Sequence, residues 1–314
     1  MMKVSKKIIM PFILMTVFTI SVYAQDPILP PTNLGGANVY DGVAGKPGFI
    51  YQGFAQVFQT RSLYDQAGNK TNSPLKINTI VQTNQLIYMS PVKVFGGYLA
   101  FTVIVPVVQL SASGAGAATP TTNPAVLADI VQGTAIQWND RKLFGKPFFH
   151  RAEFDINLPV GNYSSQYNIN PAAHLWAYSA YHAFTIFLNK KVSVSARNQF
   201  NYNSQYIGRE DKAGAFYNGN YSIDYSLFPS FKIEAVAYYL KQFNQDSHSS
   251  DKQYYADKFG IYNTKETVAA FGPGVAYFAP GGALIEAKVF FETGATNRFA
   301  GSRPTLRVAI PLSK

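Results

Sequence analysis

"VSVSARNQFNYNSQY", residues 192–206, decides how this chain folds. Val192, Val194, Ala196, Phe200, Tyr202 and Tyr206 occupy even positions, interrupted by Asn198 and Ser204. Ser193, Ser195, Arg197, Gln199, Asn201, Asn203 and Gln205 occupy the odd ones. Side chains alternating with period two belong to a β-strand whose two faces meet unlike surroundings. Strands of soluble domains usually run about 5–6 residues, far short of this alternation. Asn198, on the otherwise apolar register, has no evident reason in the sequence.

The same pattern recurs. Twelve segments are predicted as strands: 49–60, 77–90, 97–110, 126–138, 148–159, 174–188, 191–206, 214–228, 231–243, 265–278, 282–293 and 303–312. Tyr217, Tyr221, Ile223, Tyr225 and Leu227 oppose Asn218, Asn220, Ser222, Asp224 and Ser226, for example. The connections alternate in length. Short links with turn formers such as Asn189-Lys190, Pro229-Ser230 and Pro280-Gly281 follow every second strand. Longer polar links follow the others. An up-and-down, antiparallel transmembrane β-barrel has this layout, with short periplasmic turns, long extracellular loops and an even number of strands.

The physical argument is one of hydrogen bonding. In hydrocarbon every backbone N–H and C=O needs a partner, so strands persist there only in a closed sheet. A tilted strand needs ~9–11 residues to cross, and these segments suffice. Trp138, Trp176, Tyr178, Tyr202, Tyr206, Tyr217 and Tyr225 fall near strand ends on the apolar register, where interfacial aromatic girdles are expected.

Composition narrows the function. Aromatic residues are 15% of 314 and charged residues 14%, which excludes a disordered chain. There is no cysteine, hence no disulfide framework, thiolate metal site or cysteine nucleophile. The net charge of +10 comes without a Lys/Arg cluster or basic helix, so nucleic acid is not an expected partner. Lys3, Lys6 and Lys7, an apolar run over 8–20 and Val22-Tyr23-Ala24 read as a secretory signal peptide over 1–24. Residues 25–48 form a Gly/Pro-rich segment expected to lie in the periplasm or to fold back as a plug. The barrel is expected over 49–314, in the outer membrane of a Gram-negative bacterium. Its expected partners are the bilayer, lipopolysaccharide, the outer-membrane assembly machinery and a small-molecule solute.

Four stretches carry a family resemblance: "DIVQGTAIQW" (129–138), "LPVGNY" (158–163), "FGPGVAY" (271–277) and "RVAIPL" (307–312), with "NLGGANVY" (33–40) as an extension. In their order and spacing the chain resembles the outer-membrane "transporter" family named for the MetA pathway of phenol degradation. The resemblance implies a channel or uptake protein, in some members linked to catabolism of aromatic or other hydrophobic compounds.

With the apolar register on lipid, the opposite register lines the lumen. That places Arg151, Glu153, Asp155, Arg197, Asp224, Lys232, Glu234, Glu286, Lys288 and Arg307 inside, along with Lys191 and Glu292. Such charges either pair across the lumen or form a polar constriction that filters a solute. The expected function is passage of small, aromatic or hydrophobic solutes through a polar lumen. The alternatives are a structural or adhesive barrel with a closed lumen, and a barrel lipase using His174 and His182 on the outer wall. No G-x-S-x-G or H-E-x-x-H motif occurs, so no enzyme activity, catalytic residue, cofactor or metal site is expected.

Overall fold

The structure, a computed structural model, describes residues 29–312; the expected signal peptide lies outside the described residues. Twelve long strands close into one barrel: β1 (Gly48–Leu63), β2 (Lys76–Val94), β3 (Gly97–Ser113), β4 (Ile130–Leu143), β5 (Lys146–Leu158), β6 (Ala177–Phe187), β7 (Val192–Asn203), β9 (Phe216–Phe228), β10 (Phe231–Gln242), β12 (Thr267–Phe278), β13 (Leu284–Thr296) and β14 (Phe299–Pro311). Two short strands, β8 (Asp211–Lys212) and β11 (Ser247–His248), pair with each other beside helix α1 (Tyr254–Phe259) above the long-loop end. Neighbouring barrel strands are antiparallel, and β1 pairs with β14 from Ile50↔Pro311 onward, so the sheet has no free edge.

All twelve predicted strands are present, with adjusted ends. β4 starts at Ile130 rather than 126: its ladder with β3 runs from Tyr98↔Gln137 to Ile104↔Val131, and beyond Pro106, which lacks an N–H, pairing resumes only as an isolated bridge at Val107↔Leu127. β7 ends at Asn203, so Tyr206 is not a strand residue facing the interface. It is buried with Leu175 and Ala213 under the loops, a correction to its expected place in the girdle. The segment predicted from 174 starts at Ala177, and His174 adopts φ 59° before it.

The alternation resolves into two faces. Phe49, Leu86, Phe101, Phe154, Phe200, Ile223, Ile233, Phe271, Ile285 and Leu306 are exposed around the outer wall, an apolar belt too extensive for a soluble surface. Asn198 also faces outward, and its partners explain it. The Tyr217 hydroxyl donates to Asn198 Oδ1 at 2.6 Å, and the Tyr217 and Tyr221 hydroxyls lie 2.5 Å apart. Gly219, paired with Asn198, leaves room for both phenols.

Two quoted motifs meet at the loop end. Asp129 accepts hydrogen bonds from the backbone N–H of Gly161 (3.1 Å), Ala173 (2.9 Å) and His174 (3.2 Å). One carboxylate thus satisfies a loop backbone that has no ladder of its own. At the other end, two hairpins turn on Phe95-Gly96 and Phe144-Gly145, all four with positive φ, as a two-residue type I′ turn requires. Their tips push Phe95 and Phe144 outward to 86% and 91% exposure.

Candidate functional site: a filled lumen

The barrel interior is occupied by the chain's own residues 29–47. Leu34, Ala37, Asn38, Val39 and Asp41 are all buried there. This segment has no regular structure, so its backbone groups need partners from the wall. Asn218 and Asn220 both donate to the carbonyl of Asn33, at 3.0 and 2.9 Å, while Gly35 N–H donates to Asn220 Oδ1 at 2.7 Å. Tyr40 N–H donates to Ser195, Gly42 N–H to Thr185, and Gln137 donates to the carbonyl of Gly42. The Asn, Gln, Ser and Thr that dilute the lumenal register therefore stand in for a missing strand partner.

Apolar contacts complete the fit, with Leu34 toward the loops and Val39 and Ala44 toward the short turns. Leu34 packs in a buried cluster with Phe216, Val236, Tyr238, Leu240, Val268 and Phe290. Val39 packs with Ala276 and Leu284, and Ala44 leans on Met89, Ala100 and Ala135.

Two charge clusters anchor the segment. In the first, Arg197 Nε and Nη2 each donate to one oxygen of Asp41 at 2.7 Å. Arg151 lies 3.5 Å from the same carboxylate, and its Nε is 2.8 Å from Glu153. Tyr181 donates to Glu153, and its ring lies beneath both guanidinium groups, 4.3 Å from Arg197 and 5.6 Å from Arg151. Asp155 Oδ1 is buried without a hydrogen bond. Gly133 makes room for this pair of acids, since a Cβ there would collide with Asp155 and Glu153.

In the second cluster, Lys288 Nζ donates to Glu286 (2.5 Å), to Asn38 Oδ1 (2.8 Å) and to the carbonyl of Gly36 (2.9 Å). Arg307 donates to Glu286 at 3.2 Å and to the carbonyl of Val39 at 2.9 Å. Lys232 pairs with Asp224 at 2.6 Å, and its Nζ lies 4.9 Å from the centre of the Tyr40 ring. Glu234 is buried with both carboxylate oxygens unbonded.

Arg151, Glu153, Asp155, Arg197, Asp224, Lys232, Glu234, Glu286, Lys288 and Arg307 thus all point inward, where the structure divides them between the two clusters. Lys191 does not join them: it is exposed in the turn after β6, stacked near Tyr225. Of the expected interfacial aromatics, Trp176, Tyr202 and Tyr225 are exposed on the outer wall, with Tyr178 beside Tyr202. Trp138 lies flat on His150, 4.5 Å between ring centres. Tyr217 sits against Asn198 as described.

Sequence reading missed Asp41, Tyr181, Tyr238 and Arg303. Arg303 forms a further group with Glu292 (3.3 Å), Tyr238 (3.2 Å) and Gln56 (3.0 Å). It shares the odd register of Arg307, a signal that was present. Asp41 carried one too: it is the sole carboxylate of residues 29–47.

At the loop end the 244–264 segment packs against residues 211–214 and Gln66. There Asp246 accepts from Gly214 N–H (2.9 Å) and Gln242 Nε2 (2.5 Å). Burial pushes the Asp246 carboxyl up to about 7, against the opposing effect of those donors. Glu266 nearby is also raised by its burial. A carboxyl raised on folding favours the folded loop most at pH below the ordinary carboxylate range, and that contribution is lost as pH rises through 7. Amide hydrogen exchange in 244–264, corrected for intrinsic rates, should therefore quicken between pH 5.5 and 8. Asp246→Asn should flatten the trend; equal corrected rates in the parent at both pH values would refute the assignment.

Comparison with known proteins fits this architecture. Residues 60–308 match the model of the family described as "Putative MetA-pathway of phenol degradation". The crystal structure of a COG4313 outer membrane channel from Pseudomonas putida F1 superposes with TM-score 0.72 at 14% identity, covering 87% of this chain and 99% of that one. The transport unit of the autotransporter AIDA-I from Escherichia coli is more distant, with TM-score 0.44, 7% identity, and 93% and 95% coverage. The NalP translocator domain from Neisseria meningitidis gives 0.41 at 11% identity, with 85% and 89% coverage. No curated protein matches. With the family model spanning most of its length and a twelve-stranded closed barrel as its fold, this chain belongs to the MetA-pathway phenol-degradation family of outer-membrane β-barrels.

Proposed function

We propose that the barrel is an outer-membrane uptake channel for small solutes, closed at rest by residues 29–47. The observation that carries this reading is how the lumen is filled. The segment adds no strand to the wall and is held by side chains, so it can leave without opening the sheet. A barrel of eight strands is filled by its own side chains, whereas sixteen leave an open pore. Twelve strands leave room for a narrow passage once the segment moves. The short turns then face the periplasm and the long loops the exterior.

An apolar hollow of about 340 Å³ between Phe154, Tyr178, Phe200 and Tyr202 opens on the outer, lipid-facing wall, so it belongs to the membrane contact rather than to the solute path. The lipase reading draws no support from the outer-wall histidines. His150 and His182 bond to each other at 3.2 Å, and His174 stacks on Tyr163 at 4.2 Å.

Reconstitution into a planar bilayer tests the proposal. The full chain is expected to show brief, small conductance steps, and liposomes containing it should swell in small neutral solutes. Absence of current from the full chain and from a form lacking residues 29–47 would leave a structural barrel instead.

A further inference from the structure

The Asp41 carboxylate is received by the wall in the way a site receives a ligand. Asp41 sits on a tight turn, with Val43 N–H donating to the carbonyl of Tyr40 at 2.9 Å and Tyr40 itself at φ 54°. That turn aims both carboxylate oxygens at one edge of the Arg197 guanidinium, each at 2.7 Å. A planar fork bonding a planar carboxylate at two points is the strongest and most directional pairing available to arginine.

The wall does not complete this site by itself. Glu153 is committed to Arg151 and Tyr181. Among the described residues, both hydrogen bonds from the Arg197 guanidinium go to Asp41. The Arg197 and Arg151 side chains are each only 11% exposed. Among the described residues Asp155 makes no hydrogen bond to the arginines. Losing Asp41 without replacement would therefore leave the buried Arg197 fork without its bonded anion, since Glu153 is held by Arg151 and Tyr181, and that loss is costly. An incoming carboxylate removes that cost; a neutral solute of the same shape does not.

We propose that Arg197 and Arg151, over the ring of Tyr181, form a carboxylate-binding site in the lumen that Asp41 occupies as a built-in surrogate, and that small carboxylate solutes displace residues 29–47 by taking its place. The inference rests on the channel reading only for what displacement achieves. The binding step stands on the geometry alone. The other ties of the segment go to uncharged wall groups, run from Leu29 N–H to the Glu266 carboxylate, or run from neutral oxygens to Lys288 and Arg307, cations that Glu286 already pairs. The segment's own carboxylate is held by Arg197 and Arg151, so an arriving anion competes with it there.

The absence of cysteine from the natural chain permits a direct test. Ala37, 2% exposed in the lumen, becomes a reporter as Ala37→Cys, reacting with a water-soluble maleimide only when the segment leaves. Sodium benzoate is the probe and benzamide its uncharged counterpart. Benzoate at saturation should speed labelling about tenfold, the scale of one charge-assisted pair, and benzamide should not. Asp41→Asn should label rapidly without benzoate. Arg197→Gln should label at a rate indifferent to benzoate, and Arg197→Lys, which keeps the charge but loses the fork, carries the comparison if the glutamine form does not fold. Equal acceleration by benzoate and benzamide, or a full benzoate response in the Arg197 variants, would overturn the inference. So would a parent that ignores both. Labelling needs no ion flow, so a barrel that responds to benzoate yet never conducts overturns the channel reading alone. A conducting barrel whose labelling ignores benzoate overturns the carboxylate site alone.

Discussion

Deleting residues 29–47 should raise single-channel conductance at least about fivefold over the full chain, because a twelve-stranded lumen is wide enough for water once its filling is removed. The barrel itself should survive. Its closure depends on the β1–β14 ladder and the outer apolar belt, neither of which the segment supplies. The wall loses partners all the same. Leu34 leaves an apolar hollow against Phe216, Tyr238 and Phe290, and the carbonyls received by Arg307 and Lys288 disappear. Water then replaces the carbonyls at little cost, but not Leu34, so a somewhat lower unfolding temperature on the gel-shift assay is expected with the conductance gain. Removal of Asp41 also frees Arg197, so the open pore should favour anions. An unchanged conductance would mean that the loops, not residues 29–47, close the passage.

The wall was legible in the sequence because lipid enforces a strict rule on each strand. In β7 and β9 the outer register is apolar and the inner one polar almost without exception, and both strands follow the expected register. β10 and β12 lose that alternation near the loops for a reason visible only in three dimensions. Val236, Tyr238, Leu240, Val268 and Ala270 face inward, yet they meet Leu34 rather than water, so both registers are apolar near the loops. Lumenal polarity reports what fills the lumen, and a lumen filled by protein relaxes the rule.

The sequence leaves the filling open between a periplasmic segment and a plug for a related reason. Residues 29–47 have no period, and their order comes from partners such as Arg197 and Asn220 more than 150 positions away. Such contacts leave no local trace. The charged lumenal residues were identifiable by register, but their grouping was not, because it is written across β5, β7, β13 and β14 together. Tyr206 was misplaced because alternation continues past the end of β7, after the backbone has turned into the loop.

Glu286→Gln should be the most destabilising single substitution in the lumen. Glu286 is fully buried and accepts from Lys288 on one oxygen and Arg307 on the other. Removing its charge leaves two buried cations with only neutral acceptors, and breaking buried pairs in this way costs about 3–5 kcal/mol. One neighbour works against that full cost. Glu234 pairs in register with Gly274, which in turn pairs with Lys288, so no side chain stands between Glu234 and Lys288 on that row. With both its oxygens unbonded, Glu234 can take over part of the Lys288 charge. The single substitution should therefore lower the gel-shift midpoint less than Glu286→Gln with Glu234→Gln. Glu286→Gln with Lys288→Met, which removes one stranded cation, should recover part of the loss. If the two double variants are equally unstable, the cluster is water-filled rather than dry, and its charges are screened instead of paired.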